Sequence, residues 1–441
     1  MNMQNLLNLA KSKDVEIEIY KTTTSATSID VLDNKVESID SSQEHGLSIK
    51  VIKNHQLGFA YTTDFEEEIL EETLEKAVLN SRYNSIDDNW ELAASKEILP
   101  IITYNRELDA LSIEDKIALA LKTEEFAYKT DKRIKKTEKV SYMDFQAKIE
   151  IFNSNGVNLS YNTNSYGLMC DVIAEEKGSR ESGSSIKFLK NLDANLSEKT
   201  GTEAAKKACE LLCAEGIGPQ KLPLILDPMV GAQIVGAMAA LFSADSKQKG
   251  KSLLAGKLNQ TIGSKILSII DNGRLQNGLM SSPFDDEGIK TQETILVENG
   301  QLINFLCNIY TAKKEKKEST GNGRSASYKF LPDVAPSNLY IKEGKKDPKD
   351  IISNTKKGIY ITRVMGMHTI NPVSGDFSIG AAGIVIENGE KTYPVRGITI
   401  AGNLIELLES IEEIGTDLTF FPFSANFGSP TLLINNISVS G

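Results

Sequence analysis

The sequence predicts an α+β protein, with an N-terminal α/β region of strands and helices and a C-terminal domain that is mainly antiparallel β-sheet with a few helices. Three observations carry this expectation. Val15, Ile17 and Ile19, and then Leu47, Ile49 and Val51, alternate with polar neighbours, the period of strands with one buried face. Stretches of helical apolar spacing follow. Asn155-Gly156, Asn299-Gly300 and Asn388-Gly389 each separate two alternating runs, and Asn-Gly suits the positive φ angles of a tight hairpin.

Taken in order, Asp64 with Glu67 three residues on predicts a capping box. The helix it would open carries Leu70, Leu74, Ala77 and Val78 on its apolar side, with its acidic residues outward. A second helix is expected from Ser112, with Ile113, Ile117, Ala120 and Leu121 on one face, after a loop that holds the only tryptophan, Trp90. Strands return near Arg133 and turn at Asn155-Gly156. A helix over 198–215 contains Ala204, Ala205, Ala208, Leu211 and Leu212 and stops at Gly216, a residue suited to helix ends. The stretch GIGPQKLP reads as a linker, LPLILD as a strand and MVGAQIVGAMAALF as a helix of small residues. Short Gly-rich strands follow, interrupted by helices near 347–356 and 404–413. The resulting division is 1–110, 111–216 and 222–441.

A chain of 441 residues can bury two or three cores. A net charge of −11 argues against direct nucleic-acid binding, which is driven by basic side chains displacing counterions. No run approaches the eighteen or so apolar residues of a membrane span, and the start, MNMQNLLNLAKSKD, lacks a signal-peptide pattern. A cytoplasmic protein is expected. Cys170, Cys209, Cys213 and Cys307 form no C-x-x-C pair and read as reduced thiols in or near a core. The mixed run KKEKKE at 313–318 reads as a solvated or mobile loop, with partner binding as the functional alternative.

Only three histidines are present, His45, His55 and His368. No H-E-x-x-H helix, G-x-S-x-G elbow, Walker loop or post-strand G-x-G-x-x-G occurs. His45 and His55 flank a predicted strand and read as solvated. His368 lies near Asp376 in the Gly-rich GMHTINPVSGDFSIG and reads as a loop histidine. The cluster Asp285, Asp286 and Glu287 ends at Gly288. It reads as a turn capping backbone donors, with paired carboxylates for acid/base hydrolysis as the alternative.

The ordered series GKSLLAGKLN, SSPFDDEG, ENGQLINFL, YTAKK, STGNGR, NPVSGDFS, GITIAGNL and GSPTLLINNISVSG resembles the C-terminal domain of TldD/PmbA proteins. SYGLMCDVIAEEKGSRESG and the Ala-rich helix resemble that family's middle region. In the catalytic TldD branch a helical H-E-x-x-x-H motif and a late Cys bind zinc, and the PmbA/TldE branch lacks them. The family's L-H-E-A-V-G-H type string falls on Leu226, Asp227, Pro228, Met229, Val230, Gly231 and Ala232, so Asp227 and Ala232 replace the histidines and Pro228 the glutamate. FFPFSANFGSPTLL has no cysteine. The resemblance therefore implies a PmbA/TldE-like chain without catalytic or metal-binding residues of its own. Zinc is expected on a TldD-like partner that hydrolyses small or unfolded peptides. This chain would form a heterodimer with that partner, or a homodimer. Asp285, Asp286, Glu287, Asn322, Arg324, His368, Asp376 and Asn403 are candidate substrate or partner contacts. Two alternatives stand beside it. One is an independent metallopeptidase whose divergent site joins His368, Asp376 and the Asp285 cluster. The other is a non-enzymatic regulator that binds gyrase or toxin–antitoxin proteins.

Overall fold

A computed structural model describes residues 3–423 and 425–441. The chain begins with α1 (Met3–Ser12), β1 (Glu16–Leu32), β2 (Lys35–Lys53), β3 (Gln56–Thr62) and α2 (Glu67–Ser81). After a long irregular segment come α3 (Arg106–Asp109), α4 (Ile113–Thr130), β4 (Ile134–Asn153), β5 (Asn158–Glu176), β6 (Ser179–Leu189) and α5 (Leu196–Glu210). The six strands form one antiparallel sheet in the order β3-β2-β1-β4-β5-β6. Strands from both sides of residue 110 thus share a sheet, with β1 against β4 from Glu18↔Asn153 to Val31↔Val140.

The alternation seen in the sequence decides which face goes where. Ile17, Ile19, Leu47, Ile49 and Val51 pack with Leu70, Leu74 and Ala77 of α2 and Leu6 of α1. Farther along the same strands, Ile29, Val31, Val140 and Tyr142 pack with Ala120 of α4 and Ala204, Ala205 and Ala208 of α5. The opposite face, carrying Tyr20, Ile149 and Ile151, is covered by Phe284, Ile309 and Tyr328 from the C-terminal part.

The C-terminal part opens with β7 (Gln220–Leu226), α6 (Pro228–Met238) and α7 (Ala244–Gln248), and later carries α8 (Ile309–Lys314). β7 is central in a six-stranded sheet, between Lys357–Met365, which it pairs in parallel, and Leu432–Ser440, which it pairs antiparallel. A second six-stranded sheet includes Ile269–Asn272, Asn338–Ile341, Asn426–Ser429 and the edge strand Thr419–Pro422. The two enclose a large apolar core with α6. Strand, at 42%, outweighs helix, at 24%, with the sheets mostly antiparallel, so the α+β expectation holds. Among the described residues no helix is long and apolar enough to cross a membrane.

Several local expectations change. No capping box opens α2: its N-cap is Glu66, without a side-chain bond, because Asp64, two residues earlier, accepts the Glu66 N–H through Oδ1. Ser112 and Asp115 do form such a box on α4. α5 ends at Glu210, since Cys213 takes φ +60° and gives its N–H to Ser179 Oγ; this cysteine is exposed. The QKLP of the supposed linker is strand β7. Region 404–413 splits into helix Leu404–Glu409 and strand Ile411–Ile414. The KKEKKE run is anchored: Lys313 and Lys314 end α8, and Glu315 pairs with Lys247 at 2.6 Å. His45 lies inside β2, whereas His55 occupies the β2–β3 turn, 3.3 Å from Asp88.

Candidate functional site

β7 delivers Asp227 to the start of α6, where the aligned metal motif falls. Asp227 is the N-cap: Oδ1 accepts the Met229 N–H at 3.0 Å, and Pro228 fills the first helical position, where no N–H is needed. Strand Lys357–Met365 runs alongside β7 with Tyr360 opposite Ile225. From there the Tyr360 hydroxyl donates to Asp227 Oδ2 at 2.8 Å. Burial first, and then the Asp227 charge, hold the Tyr360 phenol well above its ordinary pKa. Lys391 lies over the Tyr360 ring, 3.5 Å from its centroid.

These groups lie in a cleft of about 1100 Å³ bounded by α5, β6 and the two C-terminal sheets, with Phe188, Glu203, Lys207 and Phe420 in its walls. A side pocket of about 430 Å³ shares Ile186, Lys207 and Thr362 with it and reaches Gln233 of α6. Zinc needs several convergent nitrogen, sulfur or carboxylate donors. Here both Asp227 oxygens already accept hydrogen bonds from protein groups, Pro228 has no donor atom, and the Ala232 methyl is fully buried. The residues do not fit the ion. Among the described residues no group of three or more His, Cys, Asp or Glu is arranged to hold a metal. Asp227→Ala is expected to lower stability by about 1–2 kcal/mol through loss of the cap, with Asp227→Asn retaining most of it; urea titration of both variants checks this.

The Asp285, Asp286 and Glu287 turn is elsewhere, buried where the C-terminal part meets the polar face of β1 and β2. Asp285 Oδ1 accepts the N–H groups of Glu287 and Ile289, and its Oδ2 that of Gly323. Asp286 Oδ2 accepts from Ser325 N, and Glu287 Oε2 from Ile309 N at 2.8 Å. The capping role read from the sequence is present. Asn322 is also buried and donates to Asp271 at 2.7 Å, while Arg324 reaches Ser282 Oγ at 3.0 Å and Ser337 Oγ at 2.9 Å. From the N-terminal sheet, Lys50 meets Glu18 at 2.7 Å, both nearly inaccessible. Burial opposes the Lys50 charge, yet Glu18, Glu287 and Asp285 hold its pKa above the ordinary value. Asp285, Asp286, Glu287 and Asn322 therefore join two parts of one chain and are buried within it.

Of the remaining candidates, Asn403 donates to Asp376 at 3.0 Å and caps helix Leu404–Glu409. Asn403 and Ser374 hold the exposed Asp376 carboxyl below its usual range. His368 is exposed on a short 3-10 turn, so His368, Asp376 and the Asp285 turn do not converge. A wider groove of about 1390 Å³ beside α1 and the β2–β3 turn, lined by Asn8, Lys11, His55 and Trp90, holds none of the candidates. Sequence reasoning missed Tyr360, Lys391, Glu18, Lys50 and Asp271. Lys50 stands at a polar position of the alternation Leu47, Ile49, Val51, so the pattern carried no signal for it.

Residues 219–441 match the PmbA/TldA metallopeptidase C-terminal domain, 106–212 its central domain and 17–81 its domain 1. A metalloprotease PmbA homolog of Buchnera aphidicola is 28% identical, across 100% of this chain and 96% of its own length. The structure of a candidate modulator of a DNA gyrase from Thermotoga maritima superposes with a TM-score of 0.92 at 30% identity, covering 99% of each chain. TldE from Thermococcus kodakarensis shares the fold, with a TM-score of 0.91 at 23% identity and full coverage of both chains.

Proposed function

The chain belongs to the PmbA/TldD metallopeptidase family, and on that premise we propose that it is a PmbA/TldE-like, non-catalytic subunit of a TldD/TldE metalloprotease complex in the cytoplasm. The observation that carries this reading is the chemistry at residues 227–232. A helix-capping aspartate, a proline and a buried methyl occupy the places of three catalytic groups. Zinc-assisted hydrolysis of small or unfolded peptides would then take place on the TldD-like partner. This chain's part is to wall off that site and position the peptide. The exposed Met365 and Val373, in the Gly-rich C-terminal region that also holds NPVSGDFS, support a contact surface there.

The test is co-expression with the source genome's H-E-x-x-x-H homologue, followed by peptide-cleavage assays on each chain alone and on the pair. Cleavage is expected only where the homologue is present, and full activity only with both. Activity of this chain alone would refute the proposal. Gel filtration of the pair and of this chain alone distinguishes a heterodimer from a homodimer. The description of the Thermotoga relative favours a second reading, a non-enzymatic gyrase regulator; a pull-down that recovers gyrase without any TldD-like protein would support it.

A further inference from the structure

The junction between the N-terminal sheet and the C-terminal part has an unbalanced charge inventory. Glu18 comes from β1, and Asp271, Asp285, Asp286 and Glu287 come from the C-terminal part, all at most 7% exposed. The cations facing them are Lys50 of β2 and Arg324. Five carboxyl groups thus face two cations, so full ionisation would leave three negative charges uncompensated away from water, which is strongly unfavourable. Tyr20 of β1 and Tyr161 of β5 also face the group, and they add no positive charge.

The carboxyls are not equally provided for. Asp285 accepts three backbone N–H groups. Asp286 has Ser325 N and the Arg324 charge, and Asp271 accepts from Asn322 and Ser337 N. Hydrogen bonds of this kind favour the ionised form. Glu287 accepts one N–H, from Ile309, and shares its surroundings with Lys50, Asp285 and Glu18. Glu18 Oε2 is buried with no hydrogen-bond donor among the described residues. An acidic proton on this cluster would lessen the repulsion and give that oxygen a possible donor.

We propose that Glu287 is a neutral carboxylic acid at neutral pH, and that its proton is a built-in latch between the N-terminal sheet and the C-terminal part. The latch has a mechanical connection. Glu287 holds the first N–H of α8, whose Tyr310 stacks on Trp90 at 4.1 Å and donates to Asp87 at 2.8 Å, while Lys313 pairs with Glu91 at 2.9 Å. Ionising Glu287 would set it against Asp285 and Glu18 and disturb the footing of α8, and with it the segment around Trp90.

Burial raises the Glu287 carboxyl to about 8, and it raises Asp285 in the same direction. A carboxyl with a raised folded-state pKa binds more protons folded than unfolded. Its contribution is complete below the ordinary glutamate pKa of about 4.3 and disappears as pH rises through about 8. Trp90 is the only tryptophan, so its fluorescence reports on the α8 contact.

The experiment follows thermal stability and Trp90 fluorescence of the full chain from about pH 6 to about pH 9, with infrared spectra at neutral pH. The wild type should lose stability and change fluorescence across that interval, and should show the carbonyl band of a buried protonated carboxyl. Glu287→Gln should flatten both profiles and remove the band. Glu18→Gln, which removes a neighbouring negative charge, should move the wild-type midpoint down by about one pH unit. Parallel profiles for wild type and Glu287→Gln would overturn the proposal, as would a wild-type spectrum without the band. If Glu287→Gln fails to fold, the wild-type band and the Glu18→Gln midpoint decide the matter.

Discussion

Arg324→Met is expected to destabilise the protein by about 3–5 kcal/mol at neutral pH, the scale seen when one partner of a buried ionic group is removed. The guanidinium of the partly buried Arg324 lies among Asp286, Asp285, Asp271 and Tyr161, and its two terminal nitrogens bond Ser282 and Ser337. A methionine would fill much of the volume and leave the carboxylates without their counter-ion. Since domains are commonly stable by only about 5–15 kcal/mol, the variant should be close to unfolding. Acidification should restore part of the loss, because protonated carboxyls no longer need the cation. Arg324→Lys should fall between the two, as an ammonium cannot bond both serines in a planar fork. Urea denaturation of the three proteins at mildly acidic and mildly alkaline pH measures this; a loss below about 1 kcal/mol for Arg324→Met would refute the role given to the arginine.

The second large effect is expected at Gly183 of β6. A Cβ there would lie 2.2 Å from the Ala204 carbonyl oxygen and 2.4 Å from the Ala208 nitrogen, both backbone atoms of α5. The other side of α5 is equally close to its neighbour: a Cβ on Gly201 would lie 2.3 Å from the Thr123 carbonyl of α4. The helix is wedged between β6 and α4 and has nowhere to retreat. Gly183→Ala should therefore cost about 2–3 kcal/mol, the upper range for overpacking. It should also displace Glu203 and Lys207, which line the cleft above Asp227. In the co-expression assay that tests the proposed complex, the expected result is a lower rate at saturating partner. An unchanged rate in a folded variant would separate α5 from peptide handling.

Much of the fold was legible because one face of each N-terminal strand is apolar. Ile17, Ile19, Leu47, Ile49 and Val51 announce a buried surface, and Asn155-Gly156 and Asn388-Gly389 announce their hairpins correctly. The second face was not legible. Glu18, Ser48 and Lys50 alternate as solvent-facing residues would, and only the arrival of the C-terminal part from more than two hundred residues away buries them. The candidate site divides along the same line. Asp227, Pro228 and Ala232 could be placed by their order in the chain, whereas Tyr360 and Lys391 reach the cleft through the pairing of β7 with strand Lys357–Met365 and of its hairpin neighbours. Helix ends were read least well, because competing tertiary bonds, such as Cys213 N–H to Ser179 Oγ at the start of β6, leave no pattern in composition.

The strand pairings also impose an order on biosynthesis. β1 leaves the ribosome early, but its neighbour β4 lies more than a hundred residues downstream, so the growing polypeptide must carry an open strand edge through a long stretch of translation. β7 waits longer still for Leu432–Ser440. Such non-local closure is slow and leaves sticky intermediates. Nascent chains of this protein should accordingly be clients of ribosome-associated chaperones until Leu432–Ser440 has emerged.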